Sequence, residues 1–151
     1  MQSFPVHEQR LRERQEGVLG HPEYHCDLLC QGETRVGLLM WWAGPGFRYV
    51  EHFCVRPELR GHRYGANALE ELGRDGKTVV LEIDPPVDEI ARRRQGFYQR
   101  CGFAVNPYPH VHPPYRPEYP GHELVVLSSP RALTPAEYGA FACYLSAVVM
   151  A

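Results

Sequence analysis

The chain has no long apolar run, no large basic excess and no paired-cysteine motif, and each absence removes a class of protein. Nowhere in its 151 residues do about 18 consecutive apolar side chains occur, so a membrane-spanning helix is not expected. The formal net charge of -2 lacks the cationic surplus that non-specific nucleic-acid binding draws on, and no nucleic-acid partner is expected. Met1 to Glu16 is polar and charged rather than a basic segment followed by an apolar one, so the expected location is the cytoplasm. The cysteines, Cys26, Cys30, Cys54, Cys101 and Cys143, are odd in number and lack Cys-x-x-Cys spacing; free buried thiols are the expected state. No internal repeat occurs.

What is present suffices for one domain over residues 1–151, long enough to bury a core without disulfides or metal. Eight histidines raise the question of a metal, above all His110, His112 and His122. No cysteine or carboxylate cluster at ligand spacing accompanies them, so no metal is expected and solvated loop histidines are the favoured reading.

Periodicity places the elements. Phe4 to Glu16 reads as a mostly exposed helix. Tyr24 to Cys30 and Val36 to Trp42 alternate around Gln31-Gly32-Glu33-Thr34, and Phe47 to Val55 follows the turn Ala43-Gly44-Pro45-Gly46, giving a three-stranded antiparallel meander. The period then lengthens. Tyr64, Ala68, Leu69 and Leu72 share a helical face, Thr78 to Ile83 is an apolar strand broken only by Glu82, and strand–helix–strand order implies a parallel pair. A second helix carries Val87, Ile90, Ala91, Arg94, Phe97, Tyr98 and Cys101, and ends at Gly102. Its Arg92-Arg93-Arg94 run reads as a solvated face. Phe103 to Val105 and His122 to Ser128 read as strands that pair with each other. Thr134-Pro135-Ala136-Glu137 has the form of a capping box before a last helix whose apolar face is Tyr138, Phe141, Ala142, Leu145, Val148 and Val149. The expected fold class is α/β (α+β), a mixed and mostly antiparallel sheet with a splayed parallel pair and helices on both faces.

The stretch from Val55 to Gly65 joins a strand to a helix. The first amides of that helix have no internal partner, and the positive end of the helix dipole makes the place suitable for an anion. Gly61 and Gly65 permit close backbone approach, and Arg60 and Arg63 can add charge-assisted bonds to phosphate oxygens. Glu51 falls with Tyr49, Phe53 and Val55 by strand alternation, a mostly apolar set. Its bland alternative is an edge-exposed carboxylate paired with Arg48 or His52.

In combination, Glu51 to Ala66, Leu81-Glu82-Ile83-Asp84 and Phe97-Tyr98-Gln99-Arg100-Cys101-Gly102-Phe103 resemble the GNAT acetyltransferase family in residue type, order and spacing. Phe4-Pro5 with Glu8 and Arg10 resembles the entry to that family's N-terminal helix. The resemblance implies an N-acetyltransferase that takes acetyl-CoA, with the pyrophosphate on Arg60, Gly61, His62, Arg63, Tyr64, Gly65 and Ala66. It implies the pantetheine arm along Phe53, Cys54 and Val55, and direct attack by a small-molecule or peptide amine. Acyl transfer needs a neutral amine, whereas a lysine-like amine of pKa about 10.4 is protonated at neutral pH. Glu51 is the first candidate to take that proton, directly or through water, and Glu82 the second. Tyr98 resembles the family tyrosine that protonates the departing thiolate; a core tyrosine is its other reading. Cys54 and Cys101, without a neighbouring base, are read as packed thiols rather than acyl carriers.

Two departures from the family pattern stand out. Arg63 occupies the place of the motif's first glycine, where any positive φ carries an energetic penalty. Only a few residues precede Phe4-Pro5, which implies a missing first strand and an open sheet edge to be covered by a partner or by upstream residues; a homodimer is expected. These departures motivate the alternative of a non-catalytic acyl-CoA-binding or interaction module. The segment Asn106 to Gly121 holds six of the chain's 14 prolines and is expected to wall the acceptor site or to pack as a structural loop. Tyr108, His110, His112, Tyr115 and Arg116 are its candidate contacts. Trp41 and Trp42 must point to opposite faces of their strand.

Overall fold

The computed structural model describes residues 17–59, 61–116 and 118–151. The helix expected over Phe4 to Glu16 and the Arg60 position lie outside them.

The antiparallel meander forms as expected from β1 (Tyr24–Gln31), β2 (Thr34–Gly44) and β3 (Phe47–Val55). Helix α1 (Tyr64–Leu72) then crosses to β4 (Thr78–Ile83), which lies parallel to β3. Helix α2 (Glu89–Arg100) starts where the Asp88 side chain accepts the Ala91 amide at 2.8 Å, and leads to β5 (Ala104–Val105). A short ribbon, β6 (Val111–His112) with β7 (His122–Glu123), precedes β8 (Val125–Ser129). The main sheet has six strands in the order β1-β2-β3-β4-β8-β5. The strand expected over His122 to Ser128 is therefore two: its first residues pair with β6, and after Leu124 it pairs with β4 and β5.

Helices cover both faces. Leu69 and Leu72 of α1 pack with Leu39, Val50, Leu81 and Leu127, and Phe97 of α2 lies against the same cluster. On the opposite face α3 (Pro135–Tyr144) brings Phe141 and Tyr144 onto Trp42, Phe47, Tyr49, Val80 and Val126. The expected capping box is formed, with the Thr134 side chain accepting the Glu137 amide at 3.2 Å and Glu137 Oε1 accepting the Thr134 amide at 2.8 Å. A π-helical turn, Leu145–Val149, extends α3 and keeps Leu145 and Val149 in the core.

One irregularity changes the expected alternation. Trp41 pairs with Val50 and Met40 with His52, so Glu51 is an extra residue in β3, a β-bulge. Tyr49 belongs to the α3-side core, whereas Val50 and Phe53 belong to the α1-side core. The grouping of Phe53 with Tyr49 is thus corrected: the inserted residue reverses the parity of the strand beyond it. Trp42 and Trp41 do take opposite faces, the first fully buried and the second at the edge of the other core.

The cysteines are all free but not buried. Cys26 and Cys30 are exposed on β1, which ends the sheet among the described residues; Cys143 is exposed on α3, and Cys54 and Cys101 are partly covered.

Candidate functional site

β3 and β4 pair only over Phe47–Val50 and Thr78–Leu81. Beyond Val50, β3 stays paired with β2 as far as Val55 opposite Gly37, while its other edge leaves β4. A Cβ at Gly37 would collide with the Cys54 carbonyl oxygen, so the close seating of this last stretch on β2 requires glycine. The divergence opens a cleft of about 1190 Å³. Its walls include Phe53, Cys54 and Val55 from β3, Glu82 from β4, and Tyr98 from α2.

The start of α1 forms one end of the cleft. Arg63 is its N-cap residue and makes no side-chain capping bond; its carbonyl receives the Asn67 amide at 2.9 Å. Arg63 therefore leaves the first-turn amides without a side-chain cap of its own, which suits an anion. Arg63 adopts φ 63°, alone among the described non-glycine residues in the left-handed region. Such a conformation is unfavourable for an L-residue by about 1–2 kcal/mol, and it is the conformation that glycine at this position would take freely. Gly61, Arg63, Tyr64, Gly65 and Ala66 line the cleft, whereas His62 stays outside it, stacked on Tyr64 at 5.7 Å. Gly65 has a second use: a Cβ there would stand 3.2 Å from the Phe53 ring, so its absence seats α1 on that ring.

At the other end lie two buried carboxylates. Glu51 has no exposed side-chain surface. Its Oε1 accepts the Trp42 indole N–H at 2.8 Å and its Oε2 the Tyr115 hydroxyl at 2.7 Å. It is not an edge-exposed carboxylate paired with Arg48, which instead binds Asp75 at 2.7 Å and the Leu72 carbonyl. His52 stands 3.9 Å from Glu51 Oε2. Glu82, 5% exposed, accepts the Tyr49 hydroxyl, and its Oε2 lies 2.5 Å from His110 Nε2. Burial, and then the charge of Glu82, holds the Tyr49 phenol well above its ordinary range. His110 Nδ1 faces the Tyr138 hydroxyl at 2.8 Å, tying the site to α3.

The expectation of solvated loop histidines is overturned for His110 and His112, which are 7% and 2% exposed. The proline-rich segment folds back over the sheet and inserts them beside Glu82, where aromatic neighbours exclude water. His112 is flanked by Tyr115 at 4.9 Å between ring centres, and Tyr115 in turn by His52 at 5.7 Å. Among the described residues no group of three histidine, cysteine or acidic side chains is arranged to hold a metal ion.

Tyr98 faces the cleft between the rings of Phe97 and Phe103, at 5.1 and 5.8 Å, and burial pushes its phenol up to about 12. It therefore keeps its proton throughout the neutral range.

Residues 1–103 match the model of the Acetyltransferase (GNAT) family. The chain belongs to the GNAT acetyltransferases. A protein from Bacteroides thetaiotaomicron assigned to this GNAT family is similar over 98% of this chain and 85% of its own, at 29% identity and a TM-score of 0.89. Two more distant structures share the fold. An acetyltransferase from Thermus thermophilus is 18% identical, covers 79% of this chain and 71% of its own, and has a TM-score of 0.58. A GNAT acetyltransferase from Elizabethkingia anophelis, solved with acetyl-CoA bound, is 11% identical, covers 85% and 92%, and has a TM-score of 0.54. No protein of curated function matches the chain by sequence.

Within this GNAT fold, the cleft gathers Glu51, Glu82 and Tyr98 with Phe53, Cys54, Val55, Gly61, Arg63, Tyr64, Gly65 and Ala66, although they are spread over five elements and loops. Phe97 and Tyr98 reach it because α2 returns along the face that α1 occupies. Sequence reasoning missed Trp42 and Tyr115 as partners of Glu51, and His110 as the partner of Glu82. The aromatic density of Asn106 to Gly121 was the only local signal of this pairing.

Proposed function

We propose that this GNAT protein transfers an acetyl group from acetyl-CoA to a primary amine, of a small molecule or a peptide, by direct attack on the thioester. The observation that carries the reading is the splay of β3 from β4. It leaves Phe53 to Val55 without a partner on β4 along the cleft, between the start of α1 and the buried carboxylates. The α1 amides, with Arg63 and Arg60, suit the pyrophosphate, and the free edge of β3 suits the amide-rich pantetheine by the logic of strand addition.

Glu51 is the proposed base. Having no exposed side-chain surface, it acts through the Tyr115 hydroxyl or a water, and Glu82 is the second candidate. Tyr98 is the proposed acid. Burial keeps its proton in place until the thiolate departs, and the same apolar surroundings raise the basicity of that thiolate. We also propose association of two copies along β1, where Leu28 is half exposed. Light scattering that reads one monomer mass across a wide concentration range would sink that part.

An acetyl-CoA thermal shift, followed by thiol release with a panel of primary amines, tests the reading. A shift together with amine-dependent thiol release is expected. No shift at millimolar acetyl-CoA would overturn it.

A further inference from the structure

Among the described residues, one buried side-chain polar atom has no hydrogen-bond partner: Nε2 of His112. The other ring nitrogen fixes what Nε2 is. Nδ1 lies 2.6 Å from the Pro113 carbonyl oxygen, which can only accept, so Nδ1 carries the hydrogen and Nε2 of the neutral ring presents a lone pair. That lone pair is held in place. The His112 side chain is 3% exposed, its ring packs against Tyr115, and β6 pairs it with β7. Gly121 lets the returning chain pass, because a Cβ there would come within 2.9 Å of the His112 carbonyl oxygen. His112 lines the cleft, and its Nε2 stands 3.9 Å from Glu82 Oε1, too far for a hydrogen bond between them.

A buried acceptor without a donor carries a desolvation penalty of about 1–3 kcal/mol, so a donor supplied by a ligand gains what the fold leaves unsatisfied. The cleft supplies the context for that donor. Glu82 Oε1 stands 3.9 Å from the position and Glu51 lies behind Tyr115 in the same cleft, and a cationic N–H group is what such carboxylates attract.

We propose that His112 is a proton acceptor in the reaction: its buried Nε2 receives the first proton of the acceptor's ammonium through one water, and the acceptor is therefore a cationic primary amine that enters beside Glu82. The proposal rests on the N-acetyltransferase reading and supplies a step that Glu51 alone does not. A primary ammonium must lose two protons to become an amide nitrogen. The first N–H bond breaks toward a water, which passes a proton on to His112 Nε2, and the electron pair stays on nitrogen; the imidazolium so formed faces Glu82 Oε1 at 3.9 Å. The freed pair forms the C–N bond. As the C–S bond breaks, its electron pair goes to sulfur, which takes the Tyr98 proton. The second amine proton passes through the Tyr115 hydroxyl to Glu51. Tyr98 regains a proton from the site, and one proton is released to solvent for each acetyl group transferred, which balances ammonium and thioester against amide and thiol.

The groups that face His112 are Glu82 on β4, Glu51 and His52 behind Tyr115 on the β3 side, His110 on its own segment and His122 opposite it on β7. A pH profile alone would therefore mix several titrations. The test combines two measurements on the full chain. First, imidazole nitrogen NMR with acetyl-CoA present is expected to show His112 with its hydrogen on Nδ1, and its Nε2 resonance is expected to move on addition of n-butylamine. A hydrogen on Nε2, or no response to n-butylamine, overturns the proposal whichever amine is the natural acceptor. Second, His112→Asn keeps a donor for the Pro113 carbonyl and deletes Nε2. With the best amine that wild type turns over, n-butylamine included, kcat is expected to fall about 100-fold or more, with unchanged KM for acetyl-CoA and an unchanged acetyl-CoA thermal shift. Wild-type kcat in this variant would overturn the role of His112 and leave the acetyltransferase reading intact. Loss of the acetyl-CoA shift in wild type would instead remove the reading on which both stand.

Discussion

The hydroxyl of Tyr115 donates to Glu51 Oε2 at 2.7 Å, joining residues 64 positions apart. It places a fully buried carboxylate within one proton transfer of the cleft. In the proposed mechanism it also makes the loop that bears Tyr115 part of the chemistry rather than a passive wall. Glu51→Gln is expected to lower acceptor-dependent thiol release about 100- to 10,000-fold. Tyr115→Phe is expected to lower it as well, and to reduce stability by about 1–3 kcal/mol through loss of a buried donor. Parallel kinetics and urea denaturation of the two variants check both effects.

Tyr98→Phe is expected to reduce kcat strongly while leaving acetyl-CoA binding in place. The folded-state value of about 12 lies above the ordinary 10, so between those values the folded chain holds a proton that the unfolded chain has lost. The stability that follows from this burial is present below pH 10 and is lost as pH rises through about 12. No alkaline limb from Tyr98 is expected in the rate profile below about pH 11. Tyrosinate absorbance of wild type against Tyr98→Phe measures the titration directly.

Arg63→Gly separates grip from strain. Relief of the left-handed backbone, about 1–2 kcal/mol, is offset by about 0.5–1 kcal/mol of added glycine chain entropy, so stability should change by less than about 1 kcal/mol. Cofactor affinity should fall about tenfold at low salt through loss of a charge near the phosphates, and the gap should narrow as salt is added. Equal affinity of the two proteins at low salt would show that the guanidinium does not contact the ligand.

Gly37→Ala acts on the splay rather than the chemistry. Its Cβ would meet the Cys54 carbonyl of β3, backbone against backbone, where no side chain can move aside. A loss of about 1–3 kcal/mol is expected, with weaker acetyl-CoA binding because the pantetheine edge of β3 shifts. Denaturation midpoints and cofactor titration should change together.

The elements were legible because each is written locally. Alternation from Tyr24 to Val55, the switch of period at Tyr64, and Thr134 with Glu137 at the start of α3 are signals within a few residues of one another. The end of the cleft formed by the start of α1 was legible for the same reason, since a strand end and a helix start adjacent in sequence must be adjacent in space. His62 shows the limit: its place inside the motif did not bring it into the cleft, because its ring stacks on Tyr64 outside it. The end that holds the buried carboxylates was not legible. Whether His112 lies in solvent or beside Glu82 depends on where a proline-rich segment docks, and no local pattern encodes that.

By itself the sequence determined the chain order of the main-sheet strands and of the helices from Tyr64 onward, the parallel β3–β4 unit and the family, since these follow from hydrophobic period, capping chemistry and turn residues that act over short distances. Only the tertiary structure decided the rest. The bulge at Glu51 reverses which face Phe53 takes, an outcome set by the ladder opposite and not by β3 alone. The same assembly closes Trp42 and Tyr115 onto Glu51, sets His110 on Glu82, and leaves His112 Nε2 without a donor. Burial and hydrogen-bond pairing are properties of the packed chain, and they give these otherwise ordinary side chains their chemistry.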